Sequence, residues 1–401
     1  MVWLLRSGCA ALAFHTVADA FVFPQAGTAW HDHLSAGLVP LALLGLVVVA
    51  APRLRPGAQA AVAGILGALA LEGAGLAAAD AARTFARPSD WTGFLLAPTG
   101  LALLAGAAVT LWRKRRRGVV RRLLVGAAVA VGAYWLLIPV GMGLYATHRP
   151  RGAIEPADLA APYRHVTVPT SDGLDLAAWY APSRNGAAVI SFPTRLGKLP
   201  HARMLIRHGY GVLLLDMRGY EESEGSPNAF GWGSTRDIDA GVAFLQRQRD
   251  VRDGRIGGIG FSVGGEQMLE AAAENHGLRA VVSEGAGERS FKETLLRGPR
   301  GWAAVPMMAL ESATLAVFAQ TMPPPALDDV AARIAPGAAF FVYAEHGAGG
   351  EEMNPRFFDA ARQPKALWEV PGAHHTGGLD AQPRAYERRV VGFFDRYLAA
   401  G

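Results

Sequence analysis

A run of small and apolar residues from Arg255 to Gly265 constrains the fold more than any other stretch of this chain. Its sequence is RIGGIGFSVGG, and it contains the pattern Gly-x-Ser-x-Gly centred on Ser262. A buried strand, a sharp turn and a helix start fit this pattern, because glycines at 260 and 264 let the incoming strand and the outgoing helix pass each other. Such a turn lifts the Ser262 hydroxyl clear of the sheet and points the backbone N–H of Val263 at a developing oxyanion.

A glycine-rich turn without chemistry is the alternative interpretation, since the chain contains 48 glycines and the pattern can arise by chance. The flanking sequence favours catalysis. Residues 257–259 suit a short buried strand, and residues 267–274 (QMLEAAAE) are strong helix formers. Ser262 is therefore the candidate nucleophile.

The first part of the chain is too apolar for a soluble domain. The whole chain is 51% hydrophobic and only 18% charged, and the excess of apolar residues lies before residue 150. Five segments there are each about long enough to span a bilayer. They run over residues 2–23, 36–51, 58–79, 92–112 and 119–145. We predict an all-α transmembrane region over residues 1–148 with about five spans; four spans and an interfacial helix are the alternative.

A basic cluster between the fourth and fifth segments predicts the orientation of these spans. It comprises Arg113 to Arg117, in the order RKRRR, followed by Arg121 and Arg122. Its position between apolar segments indicates membrane topology and no nucleic-acid partner. The positive-inside rule places it in the cytoplasm and everything after residue 145 outside. The first segment lacks a convincing cleavage site and is predicted to be retained.

Several histidines and aspartates lie near the first predicted loop. His31, Asp32 and His33 are in that loop, and His15 and Asp19 are in the preceding segment, so a metal or proton-relay site is conceivable. His31 and His33 lack helical spacing, which favours an ordinary wet loop, and we predict no metal and no cofactor. The single cysteine, Cys9, excludes an intrachain disulfide and is not expected to be catalytic.

The composition becomes globular after residue 148. Prolines and a glycine mark a linker over residues 149–162, and a soluble domain is predicted over residues 163–401. Residues 165–180 suggest a hairpin, and the apolar runs at 187–192 and 211–216 suggest buried strands separated by a helix. Strands alternating with helices predict an α/β fold with a mainly parallel sheet and helices on both faces.

Three motifs in order resemble those of the α/β-hydrolase superfamily. They are residues 209–219 (GYGVLLLDMRG) followed by ESEG at 222–225, the elbow at Ser262, and the loop GAHHTGG at 372–378. The resemblance covers about residues 163–400 and implies the α/β-hydrolase fold with a Ser-acid-His chain order. The chain departs from the usual His-Gly after the third strand, having Phe-Pro-Thr at 192–194. Proline has no N–H, so Thr194 becomes the second oxyanion donor beside Val263.

The resemblance also implies a histidine base and an acid partner. The base is either His374 or His375, and the alignment favours His375. The acid is expected in the loop at 344–355, which contains no aspartate and offers glutamates. We choose Glu351, with Glu352 as the alternative. The other acidic positions are Glu345 in the same loop, Glu284 and Glu288 as fallbacks, and Asp216, which we expect to be structural.

An apolar insertion over about residues 287–337 is predicted to form a helical lid. A lid above the elbow would favour a small-molecule or lipid-like acyl substrate, although the same residues could pack as core. The sequence thus predicts a membrane-anchored serine hydrolase with Ser262 as its nucleophile. It is expected to cleave an ester, a thioester or a related acyl bond, and peptidase activity is less expected. A catalytically inactive hydrolase fold that acts as a binding or scaffold module is the alternative.

Overall fold

The computed structural model describes residues 1–83, 88–112, 119–196 and 198–399. These divide into two compact units. The first comprises Met1–Ala153, Ser226–Asn228 and Ala304–Thr321, and the second comprises Ile154–Gly225, Ala229–Ala303 and Met322–Gly401. The predicted basic cluster at residues 113–117 lies outside the described residues.

The first unit is helical. Its helices are α1 (Val2–Val17), α2 (Leu34–Ala50), α3 (Pro56–Arg83), α4 (Pro88–Phe94), α5 (Leu96–Trp112) and α6 (Val119–Thr147). A π-helical turn, Ala18–Val22, extends α1, and a 3-10 turn, Trp30–His33, precedes α2. Small residues bring the helices close together. A Cβ atom on Gly100 would lie 2.7 Å from the carbonyl oxygen of Gly67, so α3 and α5 contact each other through their backbones.

Four helices among the described residues are long and apolar enough to cross a membrane: Trp30–Arg53, Pro56–Ala82, Asp90–Trp112 and Pro299–Ala319. The first three coincide with predicted segments. The fourth lies in the predicted lid.

The second unit contains all eight strands of one sheet. They are β1 (Arg164–Pro169), β2 (Asp175–Ala181), β3 (Ala188–Phe192), β4 (Gly211–Leu215), β5 (Ile256–Phe261), β6 (Ala280–Glu284), β7 (Ala338–His346) and β8 (Lys365–His374). The helices after the first unit's α6 are α7 (Leu199–Arg207), α8 (Thr235–Gln246), α9 (Val263–Glu274), α10 (Phe291–Leu296), α11 (Pro299–Ala319), α12 (Leu327–Ala331), α13 (Asn354–Ala360), α14 (Gly378–Ala381) and α15 (Pro383–Phe394).

The sheet order is β1-β2-β4-β3-β5-β6-β7-β8. β1 pairs with β2 and β2 with β4 in antiparallel fashion, whereas all pairs from β4 to β8 are parallel. The predicted mainly parallel sheet is confirmed. Parallel strands end at the same edge, so the loops after β3, β5, β7 and β8 converge there.

Two hydrophobic clusters cover the two faces of the sheet. Along β3, Ala188 and Ile190 pack in one cluster with residues of α8 and α9, and Val189 packs in the other with residues of α7 and α15. This alternation follows from the two-residue period of a strand, and it confirms that helices cover both faces.

The two compact units differ from the predicted boundaries at two places. Ile154 and Leu159 are buried in the core of the second unit, 8% and 1% exposed, so this part of the predicted linker packs as domain. The predicted lid is divided, because residues 304–321 group with the helical unit. The physical reason is close packing: a Cβ atom on Gly143 of α6 would lie 2.7 Å from Cγ2 of Thr314 in α11.

Candidate active site

Ser262 lies at the sharp turn between β5 and α9. Its φ and ψ are 53° and −124°, a conformation that non-glycine residues rarely adopt. The backbone N–H of Ser262 donates a hydrogen bond of 2.8 Å to the carbonyl oxygen of Glu284 at the end of β6. The strained residue is therefore held in place by the neighbouring strand.

The two glycines of the motif are required by close backbone contacts. A Cβ atom on Gly260 would lie 2.1 Å from the carbonyl oxygen of Gly264, and one on Gly264 would lie 2.7 Å from the carbonyl oxygen of Phe192. Cβ atoms do not approach other atoms so closely, so a side chain at either position would displace the turn. The Gly-x-Ser-x-Gly pattern thus has a steric cause.

His375 contacts both Ser262 and Glu351. Its Nε2 atom lies 2.9 Å from Oγ of Ser262, and its Nδ1 atom makes a short hydrogen bond with Oε1 of Glu351. An ionised carboxylate only accepts hydrogen bonds, so Nδ1 bears the proton and Nε2 is free to accept the one from Ser262. The three side chains form a continuous hydrogen-bonded chain from acid to hydroxyl.

The carboxylate of Glu351 is fixed and buried, with its side chain 1% exposed. Its Oε2 accepts a hydrogen bond of 2.9 Å from the backbone N–H of Ala344. Its Oε1 accepts a hydrogen bond of 3.2 Å from the backbone N–H of Ala348. These backbone donors satisfy both oxygens and determine the orientation of the carboxylate.

The other candidates in these two loops lie elsewhere. His374 is exposed, and its ring packs against that of His346 at 5.5 Å between centroids. Glu352 has a 59% exposed side chain and pairs with Arg297 at 3.0 Å. Glu345 accepts a 2.7 Å hydrogen bond from the backbone N–H of Gly372. The structure brings Ser262, His375 and Glu351 together and leaves these three outside the chain of hydrogen bonds.

The remaining acidic candidates have structural partners. Glu288 pairs with Arg297 at 2.7 Å. Asp216 accepts hydrogen bonds of 2.6 Å from both the backbone N–H and Nε of Arg195. Glu284 accepts a hydrogen bond from the backbone N–H of Gly378 and one from the hydroxyl of Tyr386.

Val263 and Thr194, the predicted oxyanion donors, belong to two segments that meet at the start of α9. Val263 is the first residue of α9, where backbone N–H groups have no partner within the helix. Thr194 follows Pro193 in the loop after β3, and a Cβ atom on Gly264 would lie 2.8 Å from Cδ of Pro193. The loop that contains Thr194 therefore packs directly on the start of α9.

Sequence reasoning missed two basic side chains that fix the loop after β3. Arg195 is 1% exposed and binds Asp216 as described above. Lys198 donates hydrogen bonds of 2.6 Å to the carbonyl oxygen and 3.1 Å to the hydroxyl of Thr376, the residue after His375. The sequence did contain a signal for these two residues, because both are basic and follow Thr194 within the loop at the carboxyl edge of the sheet.

The histidines of the first unit have local partners. His33 Nε2 lies 2.8 Å from Oγ1 of Thr28, His15 Nδ1 lies 2.9 Å from Oγ1 of Thr92, and His31 lies 3.6 Å from Asp32. Within the described part of the chain, no group of three or more His, Cys, Asp or Glu side chains is arranged to hold a metal ion. Asp19 pairs with His148 at 4.0 Å, and the proton-relay hypothesis for His15 and Asp19 stays a prediction.

This sheet order and the strand–turn–helix position of Ser262 define an α/β-hydrolase fold. The model of the X-Pro dipeptidyl-peptidase (S15) family matches residues 159–369, just over half of the chain. The chain belongs to this family. The matched range contains Ser262 and Glu351 and ends before His375.

Curated relatives are similar over part of the chain. The α/β-hydrolase domain-containing protein WAV2 of Arabidopsis thaliana is 30% identical over 149 residues, which are 35% of this chain and 46% of that protein. An uncharacterised protein of Mycobacterium tuberculosis is 29% identical over 241 residues, 57% of this chain and 76% of that protein. The chain thus covers less than half the length of the first of these relatives.

Solved structures share the fold. An esterase of Pyrococcus furiosus is 23% identical with a TM-score of 0.51, and the similarity covers 62% of this chain and 96% of the esterase. The α/β-hydrolase GrgF of Penicillium sp. sh18 is 23% identical with a TM-score of 0.50, covering 60% of this chain and all of GrgF. At these identities the likeness establishes the fold alone.

Proposed function

We propose that this protein is a membrane-anchored serine hydrolase that cleaves an ester, a thioester or a related acyl bond. The observation that supports it is the hydrogen-bonded chain from Glu351 through His375 to Ser262. This order of acid, base and hydroxyl is what nucleophilic catalysis by serine requires. His375 has a 37% exposed side chain, so a substrate can reach it from solvent.

The proposed reaction has two halves. Oγ of Ser262 attacks the acyl carbonyl carbon while Nε2 of His375 takes its proton, and Glu351 stabilises the imidazolium. The backbone N–H groups of Val263 and Thr194 receive the oxyanion. Collapse of the tetrahedral intermediate breaks the bond to the alcohol or thiol, which leaves with the proton from His375. Water, deprotonated by His375, then attacks the acyl-serine and releases the acid and free Ser262.

The proposed substrate is a small-molecule or lipid-like acyl compound, and the proposed partner is the membrane itself. Support for anchoring comes from the three membrane-length apolar helices that precede residue 113. The basic residues at 113–117, 121 and 122 favour a cytoplasmic loop there, which places the hydrolase unit outside the cytoplasm in our proposal. We assign the protein to the cell membrane on this basis.

A second candidate function is removal of X-Pro dipeptides from peptide substrates. The observation that favours it is the family match over residues 159–369. The same acyl-transfer chemistry would apply, with an amine as the leaving group. The two candidates differ in the substrate and not in the nucleophile.

Labelling of membranes with a fluorophosphonate probe tests the proposed nucleophile. We expect the wild type to be labelled, Ser262→Ala to be unlabelled and His375→Ala to lose most labelling. His374→Ala is the matched control, because this exposed neighbour lies outside the hydrogen-bonded chain, and it should be labelled like the wild type. Folded wild type that resists the probe in detergent would support the inactive scaffold instead.

The acid and the substrate class need separate measurements. We expect Glu351→Gln to lower kcat by at least about a hundredfold, because the wrong histidine tautomer is then stabilised. Glu352→Gln, a change of the same type on the neighbouring exposed residue, should lower it by less than about threefold. Hydrolysis of aryl esters of increasing chain length, compared with that of an Ala-Pro anilide, separates the acyl hydrolase from the dipeptidyl-peptidase.

A further inference from the structure

Helix α11 is a long apolar helix inserted between two neighbouring strands of the hydrolase sheet. It runs from Pro299 to Ala319, and it is one of the helices long and apolar enough to cross a membrane. At 1.5 Å per residue its length is about 31 Å, close to the thickness of a bilayer core. Length and composition alone would make it a further transmembrane span.

Strand pairing excludes a complete crossing by α11. The strand before it, β6, and the strand after it, β7, are hydrogen-bonded neighbours in register from Ala280↔Ala338 to Glu284↔Val342. A single crossing between them would put the two strands on opposite sides of the membrane. Since one sheet cannot be divided by a bilayer, the chain must return on the side from which it left.

The segments on either side of α11 are tied to each other. The backbone N–H of Leu327 donates a 2.6 Å hydrogen bond to Oε1 of Glu293, and Nε of Arg289 donates a 3.0 Å one to the carbonyl oxygen of Pro325. Before the helix, Arg297 binds Glu288 at 2.7 Å. The insertion is therefore a loop with joined ends.

Chain length limits how far α11 can extend from these ends. Pro299 is two positions after Arg297 in the sequence, and Pro325 is six positions after Ala319, which corresponds to at most about 7 Å and about 20 Å of extended chain. Neither segment spans a bilayer core of about 30 Å. The helix must therefore remain near the surface from which it enters.

One face of α11 is exposed and apolar. Trp302, Pro306, Ala309 and Ala313 are exposed and recur at intervals of three or four residues, the spacing of a single helix face. Trp302 is 61% exposed. An uninterrupted apolar stripe on a helix is unfavourable in water, because it leaves apolar area unburied.

The other side of α11 packs on the ends of two helices of the first unit. Oγ of Ser35, in the first turn of α2, donates a 2.6 Å hydrogen bond to the carbonyl oxygen of Val317. Gly143, near the end of α6, contacts Thr314, and the ring of His148 lies 5.3 Å from that of Phe318. The start of α2 and the end of α6 mark one surface of the proposed membrane region, and α11 packs at that level.

We propose that α11 is embedded in the bilayer leaflet on the hydrolase side without crossing it, and that its exposed face contacts lipid acyl chains. Trp302 and the exposed Arg300 at its start suit the headgroup region, where tryptophan and arginine concentrate. The lid predicted from sequence is then a membrane-inserted element of the catalytic unit. This rests on the proposed membrane anchoring and is independent of the chemistry of Ser262.

Single-cysteine labelling tests whether α11 crosses. The chain has one cysteine, the buried Cys9, so Cys9→Ala provides a cysteine-free background for the full-length protein. We expect Trp302→Cys and Met322→Cys to react with a membrane-impermeant maleimide from the same side as Arg362→Cys, an exposed site in the hydrolase unit. Reaction of the first two from opposite sides would overturn the proposal, and labelling after denaturation verifies that each thiol is reactive.

Spin labels test whether the exposed face contacts lipid. Nitroxides at Ala309→Cys and Ala313→Cys are measured in nanodiscs of phosphatidylcholine and phosphatidylglycerol, with Arg362→Cys as the aqueous control and Val49→Cys in α2 as the lipid control. At positions 309 and 313, as at position 49, we expect the nitroxide to collide several-fold more often with oxygen than with a nickel chelate. Nickel accessibility equal to that at Arg362 would show a solvent-exposed lid and overturn the proposal. Fluorophosphonate labelling of the same variants reports separately on the proposed nucleophile.

Discussion

The carboxylate of Glu284 accepts a hydrogen bond of 2.8 Å from the backbone N–H of Gly378, the first residue of α14, three positions after His375. The backbone carbonyl of the same glutamate accepts the hydrogen bond from the N–H of Ser262. Glu284 therefore fixes the backbone on both sides of the Ser262–His375 pair. It is a positioning residue, since its side chain touches neither the hydroxyl nor the imidazole.

We expect Glu284→Gln to lower both stability and turnover. Burial raises the pKa of Glu284, but the His201 imidazole at 3.6 Å and the hydrogen bonds from the Tyr386 hydroxyl and the Gly378 N–H outweigh it, so the pKa lies below its ordinary value of 4.5. The group is charged at neutral pH, and a hydrogen bond to a buried charge contributes about 1.5–3 kcal/mol. A melting temperature lower by several degrees and a kcat lower by about tenfold or more are expected, with KM changed less.

The pH dependence has a definite sign. A lowered folded pKa means that the contribution of Glu284 is complete above about pH 4.5 and is lost as the pH falls further. Glu284→Gln and the wild type should therefore converge in stability at acid pH. Tyr386→Phe removes one of the two hydrogen bonds to this carboxylate and should show a smaller effect. If the melting temperature and kcat of Glu284→Gln equalled those of the wild type, the positioning role would be refuted.

Lys198 links the loop of Thr194 to the loop of His375. Its ammonium group donates hydrogen bonds to both oxygens of Thr376, whose φ of 53° is strained for a non-glycine residue. We expect Lys198→Met to lower kcat by about tenfold while thermal stability changes by about 1–2 kcal/mol. Steady-state kinetics together with thermal unfolding measure the two effects.

The control for this variant is a half-buried lysine with similar bonding, outside the candidate active site. Lys365 donates a 2.7 Å hydrogen bond to the carbonyl oxygen of Phe358, in α13. Lys365→Met should lose comparable stability and keep wild-type kcat. Equal effects of Lys198→Met and Lys365→Met on kcat would mean that the bond to Thr376 has no part in positioning the histidine.

The sheet and its elbow could be predicted because they rest on local sequence patterns. Each apolar run, such as residues 187–192 and 211–216, became a buried strand, and Gly260 and Gly264 have the steric role expected of the motif. The direction of the chain through the sheet follows from strands alternating with helices. These features can be predicted because they depend only on residues that are close together in the sequence.

The contacts within the site depend on residues far apart in sequence. Three glutamates of the predicted loop at residues 344–355, Glu345, Glu351 and Glu352, are equivalent in the sequence, and only the fold distinguishes the buried one that accepts hydrogen bonds from two backbone N–H groups. The link from Lys198 to Thr376 joins loops more than 170 residues apart. The role of the insertion at residues 287–337 is hard to predict for a related reason, because apolarity does not distinguish a lid, a core helix and a membrane-embedded helix.

The steric role of Gly260 gives a third prediction. A Cβ atom there would lie 2.1 Å from the carbonyl oxygen of Gly264, so Gly260→Ala must displace the turn that presents Ser262. We expect loss of fluorophosphonate labelling and a destabilisation of about 3 kcal/mol or more. Gly392→Ala is the matched control. Gly392 is in helix α15 with open space around its Cα, so alanine should stabilise the fold by about 0.5–1 kcal/mol and leave labelling intact. Similar effects of the two substitutions would contradict the steric account.

Glu266, in the first turn of α9, gives a fourth prediction. It is 8% exposed, and burial raises its pKa to about 8 although the backbone N–H of Gly287 donates a 3.3 Å hydrogen bond to it. Between its ordinary value of 4.5 and about 8, the folded protein binds the proton and the unfolded chain does not. The contribution of Glu266 is therefore complete below about pH 4.5 and is lost as the pH rises through about 8.

We expect Glu266→Gln to remove this loss, because glutamine is uncharged at every pH and keeps an oxygen for the Gly287 N–H. The slope attributable to one such proton is about 1.4 kcal/mol per pH unit. Thermal unfolding in detergent from pH 5 to 9 should show the variant close to the wild type at pH 5 and clearly more stable at pH 9. Glu155→Gln, at an exposed carboxylate, serves as the control and should leave the pH profile unchanged. A constant difference between Glu266→Gln and the wild type across this range would show that Glu266 is charged in the folded protein.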